Sequence, residues 1–403
     1  MSGAGDLCWS RTMPGRSPAR VLFADGRIVC SYIAGGEFPG PQTLVCLDGQ
    51  GQPLWSVPDF QLECVLDDGA CLGTTYEGQL RVVDRDGRLA PGLRDRDRAV
   101  TCGKVASITA AGDRVLINDK RELFVMDREL NLVERLALPC GGHAVFVGDG
   151  LVHLQDGQLT FSDRAGRTRG LGRVPIELAH DAMDRCERET GTPALAGWIT
   201  VATEPGGDLA QKLVEAAKDP SKGTRQRRGA RLPLRLGLGY LDTLDTLFLV
   251  NFAVPPHLLL CLSRDGEPRW CTYLSAGCCG GWPALLPDGR LVVSSGCGGI
   301  VSWLDTRGTV LVRRKPFDGF GLASACDNVM RGLAGSGCIV RGEGVVAYGA
   351  DCEVRWRSRS DCSYYDYDEQ HDLLVTAGWQ NGDGHNSVTI ECVKNLGSRP
   401  SKA

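Results

Sequence analysis

Apolar residues in this chain fall in short runs, each closed by a polar turn, and the runs return about every 40 residues. Leu44-Val45-Cys46-Leu47 ends in Asp48, Gly51 follows three residues later, and Trp55 stands four beyond that. The Asp position recurs at Asp84, Asp127, Asp163 and Asp305, and Ser263 and Gly349 hold it in two further copies. Successive spacings are 36, 43, 36, 100, 42 and 44 residues, so one interval alone is abnormal. A recurrence of this length marks a repeat architecture.

Each ordinary interval holds four strand-length runs. In the clearest, residues 282–286 meet a turn at Pro287-Asp288-Gly289 and residues 290–294 meet one at Gly296-Cys297-Gly298-Gly299. Residues 300–304 then run into the Asp305 turn, and 309–312 close the unit. Short apolar or alternating runs bounded by Gly and Asp turns are the β signal. Glycine supplies 53 of 403 residues, about twice its usual ~7% share, which suits many tight turns. Four antiparallel strands per repeat make a propeller blade.

Seven anchored units and one at the chain ends predict an all-β, eight-bladed β-propeller of four-stranded antiparallel blades. The last unit, 363–393, has room for three strands only. Residues 6–12, with Leu7-Cys8-Trp9-Ser10, are expected to complete it, because closure removes an exposed edge. The predicted organisation is a first propeller half over 1–174, an α/β insertion with a basic loop over 175–235, a second half over 236–397 and a tail over 398–403.

The unit Leu47-Asp48-x-x-Gly51-x-x-x-Trp55, together with Asp288-Gly289-Arg290-Leu291-Val292-Val293 after Pro283, resembles the PQQ-like (quinoprotein alcohol dehydrogenase-like) propeller repeat. The resemblance implies a propeller fold. It implies two kinds of function, because that family holds quinone-dependent dehydrogenases and also cofactor-free propellers that bind proteins. Fold alone does not choose between them.

The formal charge of −4 gives no general attraction to nucleic acid or to anionic membrane. No run of 18 apolar residues is present to span a bilayer. The start, Met1-Ser2-Gly3-Ala4-Gly5-Asp6, lacks the basic and apolar regions of a secretory signal, so the expected location is cytoplasmic. None of the eighteen cysteines forms a Cys-x-x-Cys pair, which argues against a zinc ribbon, and the chain's length and start argue against a disulfide frame. Free Cys serves as a small buried apolar residue.

The cysteine placement opens a second possibility. Cys102, Cys140 and Cys279 each precede a first-turn glycine by ten residues, and Cys362 precedes Asp372 by the same interval. Cys326 sits comparably ahead of the next unit, and Cys278 adjoins Cys279. In a propeller these positions share one face, where thiolates suit a soft metal ion or redox chemistry. The same placement follows from repeat inheritance and the need for small residues near an axis. Cys278-Cys279 also resembles the vicinal cysteine pair that quinoprotein alcohol dehydrogenases set against PQQ. A disulfide between neighbours is strained, since adjacent Cα atoms lie about 3.8 Å apart.

The 100-residue interval breaks the rhythm. Residues 176–190 read as a helix with Leu178, Ala182, Met183 and Cys186 on one face, and residues 209–218 as a second helix capped by Asp208. Lys222, Arg225, Arg227, Arg228, Arg231 and Arg235 follow with no acid among them. This stretch predicts an exposed basic loop, a solvated segment or a dock for an acidic partner. No aromatics are interleaved, which argues against single-stranded nucleic acid. Near the other end, Tyr364, Tyr365 and Tyr367 alternate with carboxylates in a run that suits a cationic peptide or a water-filled lining.

No Walker loop, nucleophile elbow or His-x-x-x-His motif is present. The sequence therefore predicts a non-catalytic protein-interaction scaffold without a cofactor, a monomeric propeller within a larger complex, with 175–235 as its specificity element. The alternative is a metal-binding or redox propeller built on the cysteines, up to a quinoprotein-like oxidoreductase carrying PQQ.

Overall fold

The protein is described from a computed structural model. It describes residues 5–34, 40–66, 68–89, 107–111, 114–118, 122–127, 131–137, 143–155, 157–163, 165, 167–190, 236–251, 257–275, 281–295, 300–314, 331–333, 335, 337–341, 344–358, 362–382 and 385–396. The fold is an eight-bladed β-propeller of antiparallel blades. The chain divides into two compact units, residues 1–142 with 333–403 and residues 143–332.

In the first unit, blade 1 comprises Arg16–Ala24, Arg27–Ile33, Thr43–Leu47 and Pro53–Pro58. Blade 2 holds Gln61–Val65, Cys71–Thr74 and Leu80–Val83, and a single bridge from Val83 to Leu89 stands where the fourth strand would run. Blade 3 holds Ser107–Ala111, Arg114–Asn118, Glu122–Asp127 and Leu132–Ala137. Blade 7 follows with Gly337–Arg341, Val345–Tyr348 and Val354–Arg357, after a short first strand at Arg331–Leu333. Blade 8 comprises Cys362–Asp368, Leu373–Gly382, His385–Lys394 and, as outer strand, Asp6–Pro14. The register of that last pair runs from Asp6 opposite Lys394 to Pro14 opposite Ser387.

The second unit holds three blades and a helix. Blade 4 is His143–Val147, Gly150–Gln155, Gln158–Ser162 and Thr168–Arg173. Blade 5 is Leu236–Leu241, Thr246–Asn251, His257–Ser263 and Pro268–Ser275. Blade 6 is Ala284–Leu285, Leu291–Ser295, Ile300–Leu304 and Val310–Arg314. Its first strand is shorter than the apolar run 282–286 predicts. Pro283 has no N–H for the ladder, and Leu286 already turns, its N–H donating to the Arg290 carbonyl at 2.8 Å.

Within each unit the cores lie between the faces of consecutive blades. Val21, Ile28 and Val45 of blade 1 pack with Val375, Val388 and Ile390 of blade 8. Phe248 and Leu259 of blade 5 pack with Leu291 and Leu304 of blade 6. Both faces of the inner and middle strands are covered in this way, which is why Thr43–Leu47 and His257–Ser263 are apolar runs and not alternations. Cys30, Cys46, Cys71, Cys261 and Cys271 sit in these cores as small apolar residues.

The repeat signature has a structural cause. The Asp48 carboxylate accepts the N–H groups of Gln50 and Gln52 at 2.9 and 2.8 Å. Asp84, Asp163 and Asp305 do the same two and four residues on. Each carboxylate thus closes the turn between the third and fourth strands. The glycine three residues on adopts a positive φ, +78° at Gly51, +84° at Gly87 and +80° at Gly308. It also faces the tryptophan of the preceding blade. A Cβ on Gly51 would stand 2.7 Å from the Trp9 ring, one on Gly87 2.7 Å from Trp55, and one on Gly308 2.5 Å from Trp270. Each indole N–H donates to a carbonyl of the same turn: Trp9 to Gly49 at 2.9 Å, Trp55 to Arg85 at 3.1 Å and Trp270 to Thr306 at 2.9 Å. The late Trp of one repeat therefore clasps the Asp turn of the next.

Variants of the turn keep the same function with other residues. Ser263 accepts the Glu267 N–H in place of a carboxylate, and Gly266 lies against Leu171 in place of a tryptophan. In blade 7 Cys352 takes the glycine position at φ +62°, with its N–H on the Gly349 carbonyl at 3.0 Å.

The helix predicted over 176–190 is present as α1, Ile176–Thr190. Pro175 precedes it, Glu177 lies in its first turn and Arg188 in its last, each sign matching the helix dipole. No helix among the described residues is long and apolar enough to cross a membrane.

Candidate functional site

Helix α1 packs on blade 5. Ala179, Ala182 and Met183 join Leu258, Leu260 and Cys271 in one buried cluster. The helix thereby becomes one wall of a groove of about 430 Å³ whose other walls are the outer strand of blade 5 and the last turn and outer strand of blade 6. Arg185 comes from the helix, Trp270 and Tyr273 from blade 5, and Arg307, Leu311 and Arg313 from blade 6.

Among the described residues three arginines line the groove and no carboxylate does. All three are exposed. Among the described residues none of them is ion-paired, whereas Arg169 and Arg290 elsewhere in the same unit bond carboxylates at 2.6 Å. Arg313 donates to the Tyr273 carbonyl at 3.2 Å, and Thr272 donates to the Gly308 carbonyl at 2.6 Å. Those bonds and the Trp270 clasp hold the two outer strands in fixed relation. Leu311, 51% exposed, adds an apolar step. Burial pushes the Cys271 thiol up to about 12, although Arg185 pulls it back, so it stays protonated and serves as an apolar wall. Among the described residues the lining holds no histidine or carboxylate and so no acid–base pair. It can hold negative charge and apolar side chains.

The residues singled out in the sequence fall elsewhere. Cys102, Cys140, Cys278, Cys279 and Cys326 lie outside the described residues, as do Arg225, Arg227, Arg228 and Arg231. Cys362 begins the inner strand of blade 8. Among the described residues no group of three or more His, Cys, Asp or Glu could hold a metal ion. Burial raises the thiols of Cys30, Cys71, Cys261 and Cys392 to about 12 and those of Cys46 and Cys64 to about 11. Burial therefore keeps these thiols neutral.

The tyrosine run is partly taken up by packing. Tyr367 is 5% exposed, packs in the core between blades 7 and 8, and donates its hydroxyl to Asp372 at 2.8 Å. Tyr365 donates to the Ile339 carbonyl at 3.3 Å, and Arg341 lies 4.5 Å from the Tyr364 ring centroid. Tyr364 and Tyr365 are half-buried, and Tyr367 has no face left for a partner. Asp366 is also buried and accepts the Phe23 N–H at 2.8 Å.

The groove residues were missed because they come from three separate elements. One signal was available in Arg313, Arg314 and Lys315, three consecutive bases that end an apolar strand.

No known family profile and no curated protein matches the chain. Solved structures do. Sqt1 from Chaetomium thermophilum aligns with a TM-score of 0.58 at 11% identity, over 98% of this chain and 99% of that one. BamB from Moraxella catarrhalis aligns at 0.54 and 13% identity, over 96% and 99%. The Dos1 propeller aligns at 0.56 and 8% identity, over 98% and 96%. At these identities the likeness is one of fold. One Sqt1 structure is solved bound to the N-terminus of the ribosomal protein L10.

Proposed function

We propose that this chain is a protein-interaction propeller of the PQQ-like type, with the segment that begins at helix α1 setting its specificity. The observation that carries this reading is the groove that α1 builds against blades 5 and 6: charged, partly apolar and without an acid–base pair. Segments added to a regular scaffold commonly carry its binding. That another propeller of this architecture, Sqt1, is solved with a protein segment supports the reading by analogy of fold.

The test uses the full chain as bait, with captured proteins identified by mass spectrometry and then re-bound as purified proteins. A second variant keeps α1, whose Ala182 and Met183 belong to the core, and replaces 191–235 by a Gly/Ser linker. The expected result is a purified partner that binds the full chain and loses affinity for the linker variant. Failure of every captured protein to re-bind, with stoichiometric quinone or soft metal in the native protein, would overturn the reading in favour of a redox propeller. Equal binding by the linker variant would overturn the role of the insertion.

A further inference from the structure

We propose that the groove between helix α1 and the outer strands of blades 5 and 6 binds an acidic, extended segment of a protein partner. The proposal rests on the interaction reading above and names the chemistry of the occupant.

Charge is the first argument. The chain carries a net −4, yet this groove gathers Arg185, Arg307 and Arg313 with no carboxylate among the described residues of its lining. Several arginines elsewhere on the described surface pair with acids: Arg85 with Asp25 at 2.7 Å, Arg167 with Asp163 at 2.7 Å, Arg169 with Asp265 at 2.6 Å. Three guanidinium forks without an ion pair among the described residues, one of them steadied by the Tyr273 carbonyl, match carboxylates supplied from outside.

Backbone is the second. Among the described residues Val310–Arg314 is an edge strand, hydrogen-bonded within its sheet to Ile300–Leu304. An extended peptide can add to such an edge, taking main-chain bonds along it.

The apolar content separates protein from nucleic acid. Leu311, Val312 and the Trp270 ring line the same recess, and they reward apolar side chains interleaved with the acids. A net-negative chain repels a long polyanion. A short acidic segment meets the local positive field without that penalty.

The probe is a fluorescein-labelled peptide of about ten residues alternating Glu and Val, with a Lys/Val peptide and a short single-stranded DNA as comparators, titrated against the full chain. The acidic peptide should bind and be released by salt. Arg185→Glu/Arg307→Glu should weaken it at least about tenfold and should gain binding of the Lys/Val peptide. Arg173→Glu, at an exposed position in the outer strand of blade 4, should change neither, and equal melting temperatures confirm that all variants are folded. Absence of acidic-peptide binding overturns the proposal. So does affinity unchanged by the double reversal, or stronger binding of the DNA at the same arginines. If a purified natural partner binds the doubly reversed chain as tightly as the native one, the groove is refuted while the interaction reading stands. If no protein re-binds at all, it is the interaction reading that fails.

Discussion

Trp9 donates its indole N–H to the Gly49 carbonyl at 2.9 Å, and the same ring lies where a side chain on Gly51 would have to go. One contact thus demands a tryptophan in the outer strand of blade 8 and a glycine in the turn of blade 1.

Gly51→Ala should therefore cost more than backbone strain. Gly26 has a similar φ, +73° against +78°, but open space around it. Gly26→Ala isolates the left-handed penalty of about 1–2 kcal/mol. Gly51→Ala should at least double that loss in urea denaturation, because the Trp9 ring must move as well. Equal losses at the two sites would show that the clasp carries no energy.

Asp305 is predicted to stabilise by acceptance of hydrogen bonds. Its carboxylate takes the N–H groups of Arg307 and Thr309 at 2.9 and 2.8 Å. Asp305→Ala should lower stability by about 1–2 kcal/mol. Asp305→Asn keeps one acceptor oxygen and should recover most of it. An Asn variant as damaged as Ala would point to the charge and not to the turn.

Tyr367→Phe removes a hydroxyl that donates to Asp372 at 2.8 Å within the core. Stability should fall by about 1 kcal/mol, and binding of the acidic peptide should not change. A loss of binding with unaltered stability would restore the tyrosine run as a contact surface.

Alkaline pH should destabilise the protein through its buried thiols. Burial pushes the thiols of Cys30, Cys71, Cys261 and Cys271 up from their ordinary value of 9.0 to about 12. A raised folded pKa leaves its stabilisation intact below about 9 and removes it as pH climbs towards 12, since the unfolded chain ionises first. Each such thiol adds up to about 1.4 kcal/mol of loss per pH unit in that window. Urea midpoints at pH 8 and pH 10.5 should differ clearly, and Cys30→Ala should flatten the dependence. A flat profile would mean that the thiols are solvated.

The blades were legible because their causes are local. Asp48 closes its own turn within four residues, and Trp55 lies in the strand that follows. Sequence reading alone places Trp9 by likeness to Trp55, and the pairing of Asp6–Pro14 with His385–Lys394 supplies the contact behind that likeness. The burial of Tyr367 was not legible because alternation suggests one wet face, whereas the inner strand of blade 8 packs against both neighbours, through Tyr364 on one side and Tyr367 on the other. The groove was illegible for a different reason: Arg185 and Arg307 are 122 positions apart, and only the docking of α1 on blade 5 brings them to one recess.

The outer strand of blade 8 also sets a timetable. Thr12 and Thr389 meet at 3.2 Å across 377 positions of chain. During synthesis at roughly 5–20 residues per second, Asp6 leaves the ribosome on the order of 20–80 s before Lys394 exists to receive it. For that interval the strand is an unpartnered ribbon with Leu7 and Trp9 uncovered, a template for other nascent chains. The hazard ends only when the final hairpin emerges and Asp6–Pro14 pairs with it.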